Sequence, residues 1–577
     1  WGTEECDMVL DEVYRFVCDV TGPLNSSGDA QGCRIEDGRV ITPDGFKEAW
    51  DKTWESGWRT ISAPSRWGGQ EAPSMLGSFV EEMFCGANTA FTMYTGLTQS
   101  AAELILEFGT EEQKKLYVPK MMSGEWSGTM CLTEPHAGSD VGSASSGATR
   151  NDDGTYNVEG TKIFISAGDN DLAENVIHLV LARIEGAEAG TKGLSLFIVP
   201  RIRINEDGSL GELNDVAAPS IEHKMGINAS ATCVVNFGDD SKCLGEVVGG
   251  IEHQGIRQMF HMMNAARIGV GIQGLSVAAA SYLSALEYAR ERKQGASAKQ
   301  FKDANAPRVP ILQHPNIRQD LLDMKARVEG VRALVMKLSN HADRLNATRG
   351  KDDESEAYHK GQIDLLTPLV KAYGTDTAFE VSSRAIQVHG GHGYLRDHPV
   401  EQYCRDAKIF QIYEGTNFIQ SMDLVSRKLG QAGGANTQAF LTDIQNFIMD
   451  NKDTPELQES IKHLQGAHEA VAASVMQFIS WFKGGKIEHI PLAAENFLRI
   501  MSELAVGWLL LEQASIALKK LPETSESHPD HAFYTGKKFA AQFFANDTLA
   551  TLPARVHRLS AIDTLPVEIP DEAFASI

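Results

Sequence analysis

The 577-residue chain is poor in cysteine and in positive charge. Its eight cysteines form no CxxC pair, so the sequence predicts neither a zinc site nor a disulfide framework and fits a reducing compartment. Lys and Arg number 53 against 77 Asp and Glu, which gives a net charge of −24. Surfaces that bind nucleic acid or anionic membranes need clustered Lys and Arg. The charge balance therefore argues against both kinds of partner and leaves only a local basic patch open.

The sequence also lacks an apolar run long enough to span a bilayer. Its most apolar stretch, AVGWLLLEQASIAL at 505–518, contains Glu512 and Gln513 and falls short of the roughly 20 apolar residues of a transmembrane helix. We expect a buried helix there and no membrane span. The first ten residues, WGTEECDMVL, resemble neither a secretory signal nor a transit peptide, so we expect a cytoplasmic protein.

Several common active-site motifs are missing as well. No GxGxxG follows a predicted strand and opens a helix, and no GxxxxGKS/T is present, which argues against a Rossmann or P-loop nucleotide site. A serine nucleophile lacks its GxSxG motif. His389 and His392 invite a metal interpretation, but no Cys or acid stands at ligand spacing, so no metal site is predicted.

Apolar periodicity predicts a mainly α-helical protein with a central β-domain. A chain of this length exceeds a single hydrophobic core, and we expect four parts. These are an N-terminal helical domain at 1–128, a middle β-domain at 129–245, a helical bundle at 246–430 and a C-terminal helical extension at 431–577.

The β-domain prediction depends on short runs rich in Val, Ile and Phe, bounded by Gly, Asn and Asp. They are YNVEGTKIFISAG, VIHLVLARIEG, GLSLFIVPRI and, as the last strand, CVVNFGDD. The bundle prediction depends on the run MMNAARIGVGIQGLSVAAASYLSALEYARERKQG, whose small residues permit close helix packing. A helix is expected to start at Thr110 after a stop at Gly109, and Pro315 suits the first turn of another.

The stretch QIYEGTNFIQ, residues 411–420, contains one carboxylate, Glu414. One interpretation is structural: Asn417 is the N-cap of a helix, and the helix dipole favours an acid near its start. The other is a general base, because Ile412, Tyr413 and Phe418 would desolvate the carboxylate and raise its pKa toward the working pH. These ten residues alone favour the structural interpretation.

Two further stretches suit a large ligand. CLTEPHAGSDVGSASSG, at 131–147, offers backbone N–H groups and hydroxyls to a phosphate or a polar ring edge, although such a loop is also typical of a surface turn. KIFIS, at 162–166, places Phe164 and Ser166 on one face of a strand, which alone is equally typical of a core strand.

Three segments together resemble signatures of the acyl-CoA dehydrogenase family, in matching order and spacing over roughly residues 40–430. They are CLTEPHAGSD, QVHGGHGYLRDHPVEQYCRD and RDAKIFQIYEGTNFIQ. One departure is Gln402, where the second signature usually has Arg or Lys. The tail from 431 resembles the C-terminal helical extension of larger family members.

The resemblance implies a helix bundle, a β-barrel-like middle domain and a second bundle, with FAD in extended form between them. Two sets of FAD-binding positions follow from it, of which the second reaches a neighbouring subunit's FAD. The first set is Met130, Leu132, Thr133, Gly138, Ser139, Phe164, Ile165, Ser166, Thr416 and Phe418, and the second is Arg292, Gln294, Gln387, Gly390 and Gly391. The positions that it implies for acyl-CoA binding are Ser139, Asn264, Arg267 and Gly415.

The resemblance makes Glu414 the catalytic base of an acyl-CoA α,β-dehydrogenation. It also implies an electron-transfer flavoprotein as acceptor and a homodimer. Chain length and tail resemble the members that oxidise 3-methylmercaptopropionyl-CoA in dimethylsulfoniopropionate catabolism. The alternatives are a short- or medium-chain fatty acyl-CoA dehydrogenase, an acyl-CoA oxidase, or a non-catalytic flavoprotein related to DNA-protecting members.

Overall fold

The computed structural model describes residues 1–575. Contacts divide the chain into two compact units, Trp1–Gly269 and Val270–Ile577. The first unit contains every strand of the described chain, and the second is helical. The predicted class, mainly α with a central β-region, is confirmed.

The first unit begins with five helices. They are α1 (Thr3–Phe16), α2 (Leu24–Gln31), α3 (Phe46–Glu55), α4 (Ser74–Phe108) and α5 (Glu111–Met122). Asn88 interrupts α4 with non-helical backbone angles, and its side-chain oxygen accepts from the N–H of Phe91 at 3.0 Å. The predicted start at Thr110 is confirmed, because Thr110 and Gln113 form a reciprocal capping box ahead of α5.

Twelve strands follow or interleave with these helices. They are β1 (Arg34–Glu36), β2 (Arg39–Ile41), β3 (Trp126–Cys131), β4 (Gly147–Arg150), β5 (Tyr156–Ser166), β6 (Asn175–Ile184), β7 (Leu194–Pro200), β8 (Ile202–Ile204), β9 (Leu210–Leu213), β10 (Val216–Ile221), β11 (Thr232–Phe237) and β12 (Leu244–Val247). The predicted strand runs match β5, β6, β7 and β11. The predicted runs do not include the β1–β2 hairpin, β3, β4, β8, β9, β10 or β12, and because β12 follows β11, CVVNFGDD is not the last strand.

The main sheet has eight strands, in the order β10-β11-β5-β12-β7-β6-β3, with β4 paired to both β5 and β6. Strand β3 runs parallel to β6, whereas β7 and β12 are antiparallel neighbours. Strands β6 and β7 are buried over nearly their whole length. Burial on both faces explains why their sequences are continuous apolar runs rather than alternating ones.

The second unit is built from helices. Helix α6 (Gly255–Glu291) contains the boundary between the two units. The others are α7 (Pro315–Thr348), α8 (Asp353–His389), α9 (Val400–Ala407), α10 (Asn417–Asp423), α11 (Ala435–Asn451), α12 (Gln458–Lys483), α13 (His489–Lys520), α14 (Pro529–Asp547), α15 (Leu552–Ser560) and α16 (Leu565–Glu568). Pro315 lies in the first turn of α7 as predicted.

Glycines let α6 and α8 approach closely within this unit. A Cβ added at Gly274 would lie 2.5 Å from the carbonyl oxygen of Gly374, and one at Gly271 would lie 2.4 Å from Val370. Real side chains do not tolerate such separations. The small residues of α6 therefore determine the packing of the bundle, as the sequence indicated.

The apolar stretch 505–518 lies within α13 and is largely buried, which confirms the expected buried helix. By length and composition alone, two helices could cross a membrane: α6, and α13 with the turn that follows it. Their apolar windows are 67 % and 83 % buried inside the protein. Core helices pass the same test, so this is weak evidence for a span.

Candidate active site

The end of β5 contains a bulge that turns Phe164 outward. Tyr156, Val158 and Lys162 are buried with even spacing, but beyond Lys162 the next buried residue is Ile165, because pairing with β11 leaves one extra residue between them. Phe164 has a φ of 59° and is 60 % exposed. A left-handed conformation costs a residue of this kind roughly 1–3 kcal/mol. Such strain at an exposed aromatic side chain indicates a functional constraint.

The turn after β3 is bonded to this bulge. The carbonyl of Thr133 accepts a hydrogen bond from the N–H of Ile163 at 2.9 Å. Glu134 and Ala137 exchange two backbone hydrogen bonds that close the turn. The structure therefore brings the predicted residues of the first signature together with those at the end of β5.

The individual positions differ in exposure. Met130 and Leu132 are partly buried against the core of the first unit, and Thr133 and Ser166 are half-buried. Ile165 is buried, whereas Gly138 and Ser139 are exposed, and a Cβ at Gly138 would meet nothing within 4 Å. Partly exposed hydroxyls and backbone beside an exposed aromatic ring suit contact with a polar ring system.

Lys162 lies beneath this surface and is completely buried. Its ammonium group donates to Glu134 at 2.7 Å, to the carbonyl of Leu181 at 2.7 Å and to that of Leu132 at 3.1 Å. These contacts satisfy the three donors of a lysine. Lys162 thus connects the strand that ends in the bulge to the turn after β3.

Glu134 is the carboxylate partner in this buried pair. It accepts from the N–H of Ser145 at 2.7 Å and from the N–H of Ser146 at 3.1 Å, besides Lys162. Burial opposes its ionisation, but the hydrogen bond and charge of Lys162, with the backbone donors, outweigh burial and lower the pKa of Glu134 to about 2. The carboxylate is therefore ionised and holds the turn in place.

Glu414 lies in a turn three residues before the start of α10. Its φ is 54°, and Gly415 follows with a φ of 82°. Helix α10 is capped by Thr416, whose side chain accepts from the N–H of Ile419 at 3.3 Å, so the predicted N-cap at Asn417 is wrong by one residue. Because Thr416 performs the capping, Glu414 is not itself the residue that caps α10.

The surroundings of Glu414 differ from the expected apolar wall. Tyr413 is half-buried, but Ile412 and Phe418 are exposed. The hydroxyl of Tyr413 donates to the side chain of Gln273 on α6. Of the three side chains predicted to desolvate Glu414, only Tyr413 is half-buried.

Hydrogen bonds from side chains of α8 hold this turn in place. The buried ammonium of Lys371 donates to the carbonyl of Gly415 at 2.9 Å and to the side-chain oxygen of Asn417 at 2.8 Å. The Oδ1 atom of Asp376 accepts from Asn417 at 2.8 Å and from Gln411 at 2.7 Å. Gln411 and Asn417 stand three residues before and after Glu414, so Asp376 bridges both ends of the turn. The engagement of the Asn417 side chain by α8 explains why Asn417 is not the cap.

The remaining predicted residues of the second unit form another exposed group. Tyr288 of α6 stacks on His389 with ring centroids 4.4 Å apart and bonds to His392 at 2.8 Å. These contacts bring the C-terminal ends of α6 and α8 together. The group contains five predicted cofactor positions, all exposed, namely Arg292, Gln294, Gln387, Gly390 and Gly391.

Two of the four residues predicted to bind the acyl-CoA, Asn264 and Arg267, are neighbours on α6. Arg267 is buried, and its guanidinium donates to the side-chain oxygen of Asn264 at 3.3 Å. Among residues 1–575, no three His, Cys, Asp or Glu side chains group as metal ligands would.

Sequence reasoning missed the residues that hold both turns, namely Lys162, Glu134, Lys371, Asp376 and Gln411. Glu134 and Gln411 lie inside the signature segments, and Lys162 begins KIFIS, so proximity to the motifs was a usable signal. Lys371 and Asp376 carry no such signal, because α8 meets the turn only in three dimensions.

Four family models together match most of the chain. They describe the acyl-CoA dehydrogenase N-terminal domain at residues 3–125, its middle domain at 129–239, its C-terminal domain at 253–429, and an "Acetyl-CoA dehydrogenase C-terminal like" domain at 440–570. The last match falls within the segment predicted as an extension.

Two relatives match nearly the whole chain. A 3-methylmercaptopropionyl-CoA dehydrogenase of Ruegeria pomeroyi is 37 % identical over 96 % of this chain and 92 % of its own length. A butyryl-CoA dehydrogenase of Syntrophomonas wolfei is 36 % identical over 99 % of this chain and 94 % of its own.

Two solved structures are similar to this fold. A butyryl-CoA dehydrogenase of Megasphaera elsdenii, 27 % identical with a TM-score of 0.60, is covered over 99 % of its length by 74 % of this chain. An acyl-CoA dehydrogenase of Bacillus anthracis complexed with FAD, 22 % identical with a TM-score of 0.75, matches all of this chain and 90 % of its own.

Proposed function

Because this chain belongs to the acyl-CoA dehydrogenase family, and is thus an FAD-dependent oxidoreductase, we propose that it desaturates a short linear acyl-CoA thioester with Glu414 as its base. One observation carries the assignment of the base. Glu414 occupies a strained backbone position that the buried Lys371 and the half-buried Asp376 of α8 hold on both sides. Strain of this kind persists only where the surrounding structure overdetermines it.

The residues present fit FAD. The bulge of β5 leaves Phe164 exposed for contact with a planar ring, and Thr133 and Ser166 supply backbone and hydroxyl groups beside it. Gly390 and Gly391 leave open space where a Cβ would stand, which permits close approach of backbone to a ligand. When bound, FAD supplies the acceptor for the hydride that leaves the β-carbon of the thioester.

Glu414 removes the proton from the α-carbon as the hydride leaves the β-carbon, so that a carbon–carbon double bond forms and the product is an α,β-enoyl-CoA. The α-proton of a thioester is only weakly acidic, and charge develops on the carbonyl oxygen as it departs. Fixed donors must stabilise that charge. The backbone N–H of Glu414 is one donor that the family resemblance assigns.

The substrate proposal has two forms that the comparisons support equally. Relatives named for 3-methylmercaptopropionyl-CoA and for butyryl-CoA are 37 % and 36 % identical to this chain. The 3-methylmercaptopropionyl group has the length of a pentanoyl group with sulfur in place of the γ-methylene. We propose 3-methylmercaptopropionyl-CoA as substrate, in dimethylsulfoniopropionate catabolism, with short- and medium-chain fatty acyl-CoA thioesters as the alternative.

The reduced flavin must be reoxidised for turnover. We propose an electron-transfer flavoprotein as the acceptor, a homodimer as the assembly and the cytoplasm as the location, all on the family resemblance. An acyl-CoA oxidase differs from this proposal only in passing its electrons to oxygen.

A non-catalytic, DNA-protecting flavoprotein is the alternative of a different class. Such a role needs a basic surface. Residues 431–577 contain 11 Lys and Arg against 18 Asp and Glu, a net charge of −7. The charge of the extension therefore favours the enzyme.

The test is anaerobic reduction of the visible flavin band by a series of thioesters. Butyryl-, pentanoyl-, octanoyl- and 3-methylmercaptopropionyl-CoA are compared on the wild type and on Glu414→Gln. We expect rapid bleaching by the short thioesters in the wild type, and a loss of about 10²–10⁴-fold in the variant, as for removal of a general base.

The comparison of 3-methylmercaptopropionyl-CoA with pentanoyl-CoA, which has an acyl chain of the same length, decides the substrate. Faster reduction by 3-methylmercaptopropionyl-CoA than by pentanoyl-CoA supports recognition of the sulfur, whereas equal rates support a fatty acyl-CoA. A protein that binds flavin but is bleached by none of the four would contradict the enzyme proposal. Bleaching of Glu414→Gln at the wild-type rate would contradict the assignment of the base.

A further inference from the structure

Helix α13 of the C-terminal extension presents a row of charged side chains to α8. Glu495, Arg499 and Glu503 are four residues apart and share one face of the helix. The guanidinium of Arg499 forms a forked pair with Glu380 of α8, at 2.6 and 3.1 Å, and donates to Glu503 at 3.1 Å. Forked pairs of this type combine geometric specificity with strength. The extension is therefore tied to α8 at Glu380.

Glu380 stands one helical turn from Asp376, the residue that bridges both ends of the Glu414 turn. Burial raises the pKa of the Asp376 carboxyl, while Gln411, Asn417 and then the charge of Arg499 lower it and the charge of Glu380 raises it again. Burial raises the pKa of Glu495 as well, and the negative charge of Asp376 adds to this effect. Asp376 therefore faces two further acids and one cation, Arg499.

This arrangement connects the extension to the turn through charge. Hydrogen bonds to an ionised acceptor are roughly twice as strong as those between neutral groups. An ionised Asp376 thus holds Gln411 and Asn417 more tightly than a protonated one would. Glu380 also accepts from Arg327 of α7 at 3.4 Å. Without Arg499, the carboxyl groups of Asp376, Glu380 and Glu495 would keep Arg327 as a cation on this partly exposed face, but only through Glu380, and protonation of Asp376 would relieve their repulsion.

We propose that Asp376 is a positioning residue for Glu414, and that the C-terminal extension takes part in the reaction by placing Arg499 opposite it. Helix α13 also packs against α10, the helix that begins directly after the turn. The Megasphaera elsdenii structure is matched almost completely by 74 % of this chain, so this contribution belongs to a segment beyond the shared fold. The inference rests on the proposed role of Glu414 as base.

The test compares Arg499→Gln, Asp376→Asn, the double variant and the wild type in anaerobic flavin reduction. Lys520→Gln is the matched control, because Lys520 lies on the same helix and pairs with Glu523 at the surface. We expect each single variant to reduce flavin about tenfold more slowly, since small displacements of a catalytic group have effects of at least this size. Thioester affinity and FAD content stay within twofold, and Lys520→Gln matches the wild type.

The double variant separates positioning from general stability. If Arg499 acts through Asp376, the double variant is no slower than Asp376→Asn alone. The acidic limb of the pH profile of the flavin-reduction rate moves to higher pH in Arg499→Gln. It does not move when Arg499→Gln is added to Asp376→Asn. An unchanged rate in Arg499→Gln, or fully multiplicative losses in the double variant, would overturn the proposal.

Arg499→Lys is the second variant. If Arg499→Gln does not fold, Arg499→Lys tests whether Arg499 acts through its charge. It keeps the positive charge and loses the forked geometry. A rate within twofold of the wild type supports action through charge, and a tenfold loss at unchanged FAD content overturns it. Absence of thioester-dependent bleaching in the wild type itself would mean instead that the proposed function has failed.

Discussion

Replacement of Lys162 by methionine tests the buried pair that supports the surface predicted to contact FAD. Methionine preserves the length and apolar stem of lysine but removes its ammonium group, so Glu134 loses its only cationic partner in the pair. Removing one partner of a buried ion pair costs about 3–5 kcal/mol, because the other charge stays buried without compensation.

The lowered pKa of Glu134 gives a similar free energy for the buried pair. A value of about 2 in place of the ordinary 4.5 corresponds to roughly 3 kcal/mol of stabilisation. Because the pKa of this carboxyl is lowered on folding, its stabilisation is fully present above pH 4.5 and is lost as the pH falls toward 2. The wild type therefore keeps the contribution at neutral pH, whereas Lys162→Met loses the share of it that Lys162 supplies.

Hydrogen exchange is the appropriate assay, because the chain has two units and a single unfolding free energy is not defined for it. Peptides that cover β5 and the turn after β3 report local opening. We expect these peptides to exchange roughly 100-fold faster in Lys162→Met at pH 7, which is the equivalent of about 3 kcal/mol. Peptides from α13 serve as the internal control and keep their wild-type rates.

The double variant Lys162→Met with Glu134→Gln completes the cycle. Removal of both charges leaves a neutral amide whose single oxygen still accepts from one of the two backbone donors, Ser145 or Ser146, so part of the lost protection returns. Exchange of Lys162→Met within threefold of the wild type would refute the reasoning, as would a double variant less protected than the single one.

Three further predictions concern backbone strain, helix packing and a buried hydroxyl. Phe164→Gly relieves a left-handed conformation that costs roughly 1–3 kcal/mol. We expect its melting temperature to lie at or above that of the wild type. We also expect it to retain FAD more weakly, as measured by absorbance after gel filtration. Gly274→Ala should favour local opening of α6 by about 1–3 kcal/mol through overpacking, whereas Gly269→Ala, whose Cβ meets nothing within 4 Å, should not. Equal hydrogen exchange of the α6 peptides in the two variants would contradict this packing. The N–H of Ala231 donates to the hydroxyl of Tyr94 at 2.8 Å, and Tyr94→Phe removes this acceptor. We expect a loss of about 1–3 kcal/mol in local stability, measured as faster hydrogen exchange of the 229–232 peptide.

The sequence predicted the candidate site by two routes of different strength. Composition and periodicity located strands and helices but favoured a structural role for Glu414. The three signatures, read through the family resemblance, named the base and the cofactor positions. The family, the fold class and FAD are confirmed, while the roles of individual residues stay predictions. The Asn417 cap was wrong because Asp376 and Lys371 on α8 engage its side chain.

Much of this protein follows from local sequence alone. The capping box at Thr110 acts through neighbours in the chain, while the continuous apolar runs of β6 and β7 and the small residues of α6 are visible in composition before their partners are known, so pattern and propensity suffice to predict all three. The same holds for the segment that contains Glu414, whose composition marks it out before any contact is known.

Only the tertiary structure decided how these segments act together. The extra residue in β5 becomes visible only by pairing with β11, and it determines that Phe164 faces outward. Lys371, Asp376 and Arg499 are separated from Glu414 by tens of residues, and their contacts with the turn and with one another depend on how α8 and α13 pack. Such contacts carry no periodic signal, because each is made once, between side chains that only the fold brings within hydrogen-bonding distance.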